Sequence, residues 1–200
     1  HSFSKKIKKT KIDLGAQNCH FEISSGPFTG SISPDMLKKI GSNYVIIGHS
    51  ENRNMGESDT QINKKIKSSI KCGLKIIFCI GETLVEKKKK ITNKILQKQI
   101  LKGLSKTNSL NKILIAYEPV WSIGTGIVPK AYELDKNISF IKNILKNYLK
   151  IKNPKVLYGG SVNPKNAKNL ASIKNIDGFL IGGASQKAKN FIDIVKKTII

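Results

Sequence analysis

The chain repeats one unit: a short continuous apolar run rich in β-branched residues, then turn residues, then a stretch with apolar side chains every three to four positions. This alternation predicts strands followed by amphipathic helices. Strands are expected at residues 12–18, 44–48, 75–80, 112–117, 156–159 and 178–181, and helices near 34–40, 58–72, 83–104, 130–149, 164–171 and 188–198. Ser33 before Pro34 and Asn163 before Pro164 supply helix N-terminal signals. Apolar runs that do not alternate with polar residues imply a parallel sheet buried on both faces, which leaves a β/α barrel or a doubly wound sheet. Polar clusters follow every strand (QNC, GHSENR, CIGE, AYEP, YGGS and IGGAS). A barrel gathers such clusters at one mouth, whereas an open sheet uses one switch point, so the barrel is favoured.

The segment AYEPVWSIGTG concentrates the chemistry. Glu118 leaves the end of a buried strand, Pro119 stiffens the exit, Trp121 offers an apolar anchor, and Gly124 and Gly126 let backbone N–H groups approach an anion. This reads as a base beneath a lid, set against the alternative of a capped strand and an ordinary loop. Gly159, Gly160 and Ser161, together with Gly182 and Gly183, offer backbone donors and a hydroxyl to a phosphate dianion. Each glycine pair alone is more often a tight turn, but their recurrence at successive strand ends favours a phosphate site. His49 follows YVIIG and precedes a helical turn, whose N-terminus favours the neutral imidazole. Taken alone it reads more readily as a core-facing, hydrogen-bonded histidine than as a catalytic one.

Composition narrows the class. A chain of 200 residues, 39% hydrophobic, is long enough for a core of its own, and a single domain over 1–200 is expected. Its apolar stretches are strand-sized, so no membrane span is expected, and no signal-peptide pattern is expected either; the reading is a cytoplasmic protein. Cys19, Cys72 and Cys79 lack CxxC spacing, which argues against a disulfide framework or zinc site and for buried structural thiols. The formal charge of +23 is spread along nearly every helix without interleaved aromatics, so nucleic-acid binding is disfavoured and a solvated basic surface that draws in small anions is expected.

The segments GAQNCHF, GPFTG, VIIGHSENR, GESD, CIGET, AYEPVWSIGTG, YGGSVNP and DGFLIGGAS, in this order and across nearly the whole chain, resemble the successive motifs of triosephosphate isomerases. The resemblance implies a TIM (β/α)8-type barrel, here with six parallel strands and without the first two, normally a homodimer, which interconverts dihydroxyacetone phosphate and D-glyceraldehyde 3-phosphate with no cofactor and no metal. It implies that Glu118 shuttles the proton, that neutral His49 polarises the carbonyl, and that Glu51 is a carboxylate beside the site. Gly124, Ser161, Gly182 and Gly183 match phosphate-binding groups. Pro119, Val120, Trp121, Ser122, Ile123, Thr125 and Gly126 match the lid, and residues 18–29 match the loop that reaches a partner subunit.

The departures set further expectations. No N-W-K-M-N-like motif, with which the family's first strand ends, occurs, so the family's catalytic lysine is absent from this sequence. The sequence is expected to begin near the family's second helix, lacking its first strand, first helix and second strand. A genuinely shortened protein of this kind would show little or no isomerase activity. Ser31 and Asn52 stand where the family has an acid and an arginine, and the lid exit reads Ile127, Val128, Pro129. The competing function is a catalytically impaired barrel remnant that binds phosphate or nucleic acid without turnover.

Overall fold

The computed structural model describes residues 2–7 and 9–199; His1, Lys8 and Ile200 lie outside them. Along the chain come α1 (Ser2–Ile7), β1 (Gly15–Ala16), α2 (Pro34–Lys39), β2 (Tyr44–Ile47), α3 (Ser50–Asn54), α4 (Asp59–Lys71) and β3 (Lys75–Ile80). These are followed by α5 (Leu84–Lys88), α6 (Thr92–Gly103), β4 (Ile113–Tyr117), α7 (Ala131–Asn147), β5 (Val156–Tyr158), α8 (Ala167–Ala171), β6 (Gly178–Phe179) and α9 (Ala188–Thr198). Two compact units are distinguished: the chain up to Cys79 with Gln99–Leu114, and Ile80–Lys98 with the chain from Ile115 onward.

In the first unit β1 pairs with β2 and β2 with β3, all parallel, with Ala16 opposite Val45 and Ile47 opposite Phe78. Ile76, Phe78 and Cys79 of β3 are fully buried, so consecutive side chains on opposite faces are both covered, as continuous apolar runs require. Helix α4 starts at a capping box, in which Ser58 accepts from the Gln61 N–H while the Gln61 side chain accepts from the Ser58 N–H. Its Ile62 and Ile66, four positions apart, face the core. Gly103 is required by close approach: a Cβ there would lie 2.4 Å from the Phe78 ring.

In the second unit β4 pairs with β5 and β5 with β6, again parallel, with Tyr117 opposite Tyr158 and Tyr158 opposite Phe179. Helix α7 buries Leu134, Ile138, Ile141 and Leu145, spaced three and four apart, a single helical stripe. Asp177 fastens the start of β6. Its carboxylate accepts from the Val156 N–H at 2.9 Å and pairs with Lys142 at 2.7 Å and Lys155 at 3.0 Å.

Burial alone would raise the Asp177 pKa, but the lysine and backbone donors outweigh it and hold the carboxyl below its ordinary range. A depressed folded-state pKa stabilises the fold above the unfolded value, and that contribution is lost as the pH falls below about 4 through the folded value. Asp177→Ala is therefore expected to cost about 2–3 kcal/mol at neutral pH, because charge-assisted hydrogen bonds are lost and Lys142 is left half-buried without this partner. Urea titrations at pH 7 and pH 3 check it, since the difference from the parent should shrink at the lower pH.

Four expectations need correction. The helix foreseen at 83–104 is two helices: Lys90 adopts φ +57°, and the Lys90 and Ile91 N–H groups fold back on the carbonyls of Lys87 and Glu86, closing α5 in a Schellman turn. The first strand shortens from 12–18 to two residues, and just before it the Leu14 N–H is given to the Asn43 side chain rather than to a strand ladder. Helix α8 starts at Ala167 rather than 164; Asn163 does cap the chain, accepting from the Lys165 and Asn166 N–H groups, but closes a turn first. Cys19 and Cys79 are buried thiols as expected, whereas Cys72 is only half-buried.

Candidate active site

The ends of the second unit's strands place its candidate residues. Tyr117 and Tyr158 are in register, so the next residues, Glu118 and Gly159, leave neighbouring strands side by side. Glu118 is 2% exposed, its N–H donates to the Ile80 carbonyl at 2.8 Å, and a Cβ on Gly159 would lie 2.7 Å from its Cγ. Glycine at 159 is thus what allows a carboxylate to lie flat against that strand end. Ser161 stands three residues beyond Tyr158, and Gly182 three beyond Phe179, the residue opposite Tyr158, so both follow the same end of adjacent strands. Gly183 opens a short 3-10 turn, Gly183–Gln186, and a Cβ at either glycine would meet nothing within 4 Å.

The lid segment is tied into this end of the unit. The Ser122 hydroxyl, fully buried, donates to the Ile127 carbonyl and lies 3.1 Å from the Tyr158 hydroxyl. Thr125 Oγ1 accepts from the Ile127 N–H, and the Gly126 N–H donates to Ser161 Oγ at 3.0 Å. Two of the sequence-derived groups, lid tip and Ser161, are therefore in direct contact. Gly124 and Gly126 adopt φ +69° and +76°, a conformation that favours glycine and gives the loop its tight tip. Val120–Ser122 form one 3-10 turn behind Pro119, and Ile123 closes it.

Sequence reasoning did not single out Glu82, although it sits in the quoted CIGE cluster. Its carboxylate is buried, accepts from Trp121 Nε1 at 2.9 Å and from the Tyr117 hydroxyl at 3.1 Å, and the Tyr117 oxygen in turn accepts from Asn137. Burial pushes the Glu82 pKa up, against the pull of these donors and of the Lys87 charge. An acid closing a buried apolar run was the available signal. Tyr117 is itself held well above the ordinary tyrosine range, by burial first and then by the Glu82 charge, and so stays a hydrogen-bond donor.

In the first unit His49 stands two residues beyond β2 and caps α3, its Nδ1 accepting from the Glu51 N–H at 3.3 Å. An accepting Nδ1 leaves the neutral ring's proton on Nε2, where it can be donated. The Glu51 carboxylate is largely exposed and 4.0 Å from Nδ1. Arg53, present in the sequence only as part of a motif, fixes this corner: it donates to the carbonyls of Gly48 at 2.7 Å and Cys79 at 3.2 Å and pairs with Asp59 at 2.8 Å. Gly48 has φ +77°, and a Cβ would crowd the Cys79 carbonyl at 3.1 Å. At the root of the 18–29 loop, Asn18 donates to Asn52 and accepts from Lys65. Among the described residues, no three His, Cys, Asp or Glu side chains gather to hold a metal ion.

The triosephosphate isomerase family profile matches residues 1–198. The chain belongs to the triosephosphate isomerase family. It is 47% identical to the triosephosphate isomerase of Thermodesulfovibrio yellowstonii over 198 residues, covering 98% of this chain and 80% of that one. With the triosephosphate isomerase of Carboxydothermus hydrogenoformans the identity is 45%, over 96% of this chain and 79% of the relative. The crystal structure of triosephosphate isomerase from Bartonella henselae superposes with a TM-score of 0.88 at 38% identity, covering 97% of this chain and 81% of that one. The fold is therefore the α/β TIM barrel type, with six parallel strands among the described residues, and the protein is an isomerase of this family. A phosphorylated triose is the substrate that membership implies. No described helix is long and apolar enough to cross a membrane.

Proposed function

We propose that Glu118 and His49 carry the triosephosphate isomerase reaction in this chain. Glu118 takes a proton from C1 of dihydroxyacetone phosphate, the C–H pair becomes the C1=C2 bond and the C2 carbonyl becomes C2–O⁻. A proton then passes from O1 to O2, and the same proton held by Glu118, or one exchanged with solvent, is added to C2 as C1–O⁻ becomes the aldehyde carbonyl of D-glyceraldehyde 3-phosphate. His49 donates its Nε2 proton in a hydrogen bond to the substrate oxygen on which negative charge develops. Glu51 orients His49 chiefly through its backbone N–H. The observation that supports this reading most is a carboxylate 2% exposed at a strand end, seated on glycine beside a glycine-tipped loop. Such a carboxylate loses little solvation when substrate arrives.

The phosphate is held by Ser161, by the lid at Gly124 and by the backbone N–H groups of Gly182 and Gly183, with residues 119–126 excluding water from the enediolate. Gly183→Ala tests this apart from folding, because a methyl group there meets no protein atom within 4 Å. The thermal midpoint should be unchanged, while KM and the inhibition constant for inorganic phosphate rise about tenfold, the equivalent of about 1.4 kcal/mol. Unchanged KM and phosphate inhibition would remove Gly183 from the site. The enzyme works in the cytoplasm, where triose phosphates of glycolysis and gluconeogenesis are turned over, as a homodimer through residues 18–29. Half of that loop is exposed, and it carries half-buried, stacked His20 and Phe21.

A further inference from the structure

Trp121, the third residue after Glu118, is gripped on two sides. Its Nε1–H donates to the buried Glu82 carboxylate at 2.9 Å, and the ammonium of Lys87 stands 3.8 Å from the centroid of its ring. The same ammonium is paired with Glu133 in the first turn of α7. Lys87 is presented by α5, a helix that buries no side chain and contributes nothing to the core. Both its ends are nonetheless fixed, the first by the Thr83–Glu86 capping box and the last by left-handed Lys90. A short helix with fixed ends and no core face acts here as a mount for its side chains. Lys87 is three-quarters covered, so its cation meets the indole in a partly desolvated setting, where such contacts are strongest.

We infer that Lys87 is a positioning residue for the lid: its ammonium, anchored by Glu133, clamps the face of Trp121 while Glu82 holds the edge, and this grip sets how firmly the loop's first turn stays in place. The inference rests on residues 119–126 being the lid. An ordinary surface ion pair between Lys87 and Glu133 would leave the tryptophan indifferent to the charge at 87.

Trp121 is the only tryptophan in the sequence, so intrinsic fluorescence reports on this residue alone. K87M keeps the length and apolar stem without the charge, and K87R keeps the charge. Acrylamide quenching of the emission is expected to rise about twofold in K87M, and KM for triose phosphate to rise about three- to fivefold with kcat changed less, while K87R stays near the parent on both. Unchanged quenching in K87M, or an equal change in K87R, overturns the inference. Quenching is read without substrate, so a parent protein lacking turnover would overturn the isomerase reading while leaving the Lys87 claim decidable.

Discussion

Glu118→Gln is expected to lower kcat for triose phosphate isomerisation by about 10²–10⁴-fold, the contribution of a positioned general base. Glutamine has nearly the shape of glutamate and rests on the same Gly159 backbone, so the fold and the phosphate-binding groups are expected to survive. The inhibition constant for inorganic phosphate should accordingly stay within about twofold of the parent, since ground-state contacts are retained while the proton acceptor is removed. Steady-state kinetics with both the ketose and the aldose phosphate check this. The loss in kcat/KM must be equal in both directions, because a variant cannot alter the equilibrium between the two triose phosphates. Retained activity would move the base elsewhere, and the other buried strand-end carboxylate of this unit, Glu82, would become the candidate.

Gly81→Ala is expected to have the next largest effect, through the backbone rather than the chemistry. A Cβ at 81 would sit 1.7 Å from the Glu118 carbonyl oxygen and 2.5 Å from its carbonyl carbon. Neither atom belongs to a side chain that can swing away. Ile80, the residue before, already accepts the Glu118 N–H at 2.8 Å, so the chain is pinned on both sides of the clash. Relief requires the end of β4 to shift, and the expected cost is about 3 kcal/mol or more. Denaturant titration measures it, and any folded variant should also lose turnover because the displaced backbone is that of Glu118. A stability within about 0.5 kcal/mol of the parent, the range of a neutral surface substitution, would contradict the close approach.

These residues also mark what the sequence could and could not reveal. The βα alternation was legible because runs such as KIIFCI and ILIAY are buried on both faces, and burial on both faces removes the polar residues that would otherwise interrupt them. That Glu118, Ser161, Gly182 and Gly183 follow strand ends was legible because polar and glycine residues directly after such apolar runs mark where a buried strand stops. The break at Lys90 was hidden: four consecutive lysines are good helix formers, and nothing in KKKK announces that one of them adopts a left-handed conformation. The roles of Glu82, Lys87 and Arg53 were hidden for another reason. Each acts on a residue distant in sequence, Trp121 for the first two and Cys79 for the third, and spacing along the chain carries no information about such pairs.

The grip on Trp121 and the register of Glu118 with Gly159 point to the same economy. The second unit fixes its carboxylate through backbone fit, with glycine where contact is closest, and restrains its loop through charged and polar side chains.

The central claim is most directly tested by incubating dihydroxyacetone phosphate with the protein in D₂O and following both triose phosphates by proton NMR. Conversion to D-glyceraldehyde 3-phosphate with deuterium at C2, and deuterium at C1 of the recovered ketose, is the result expected of an enediolate whose proton passes through Glu118, and both signals should appear about a hundredfold or more slowly in Glu118→Gln. Absence of conversion by the parent protein, or undiminished deuterium incorporation by the variant, would contradict it.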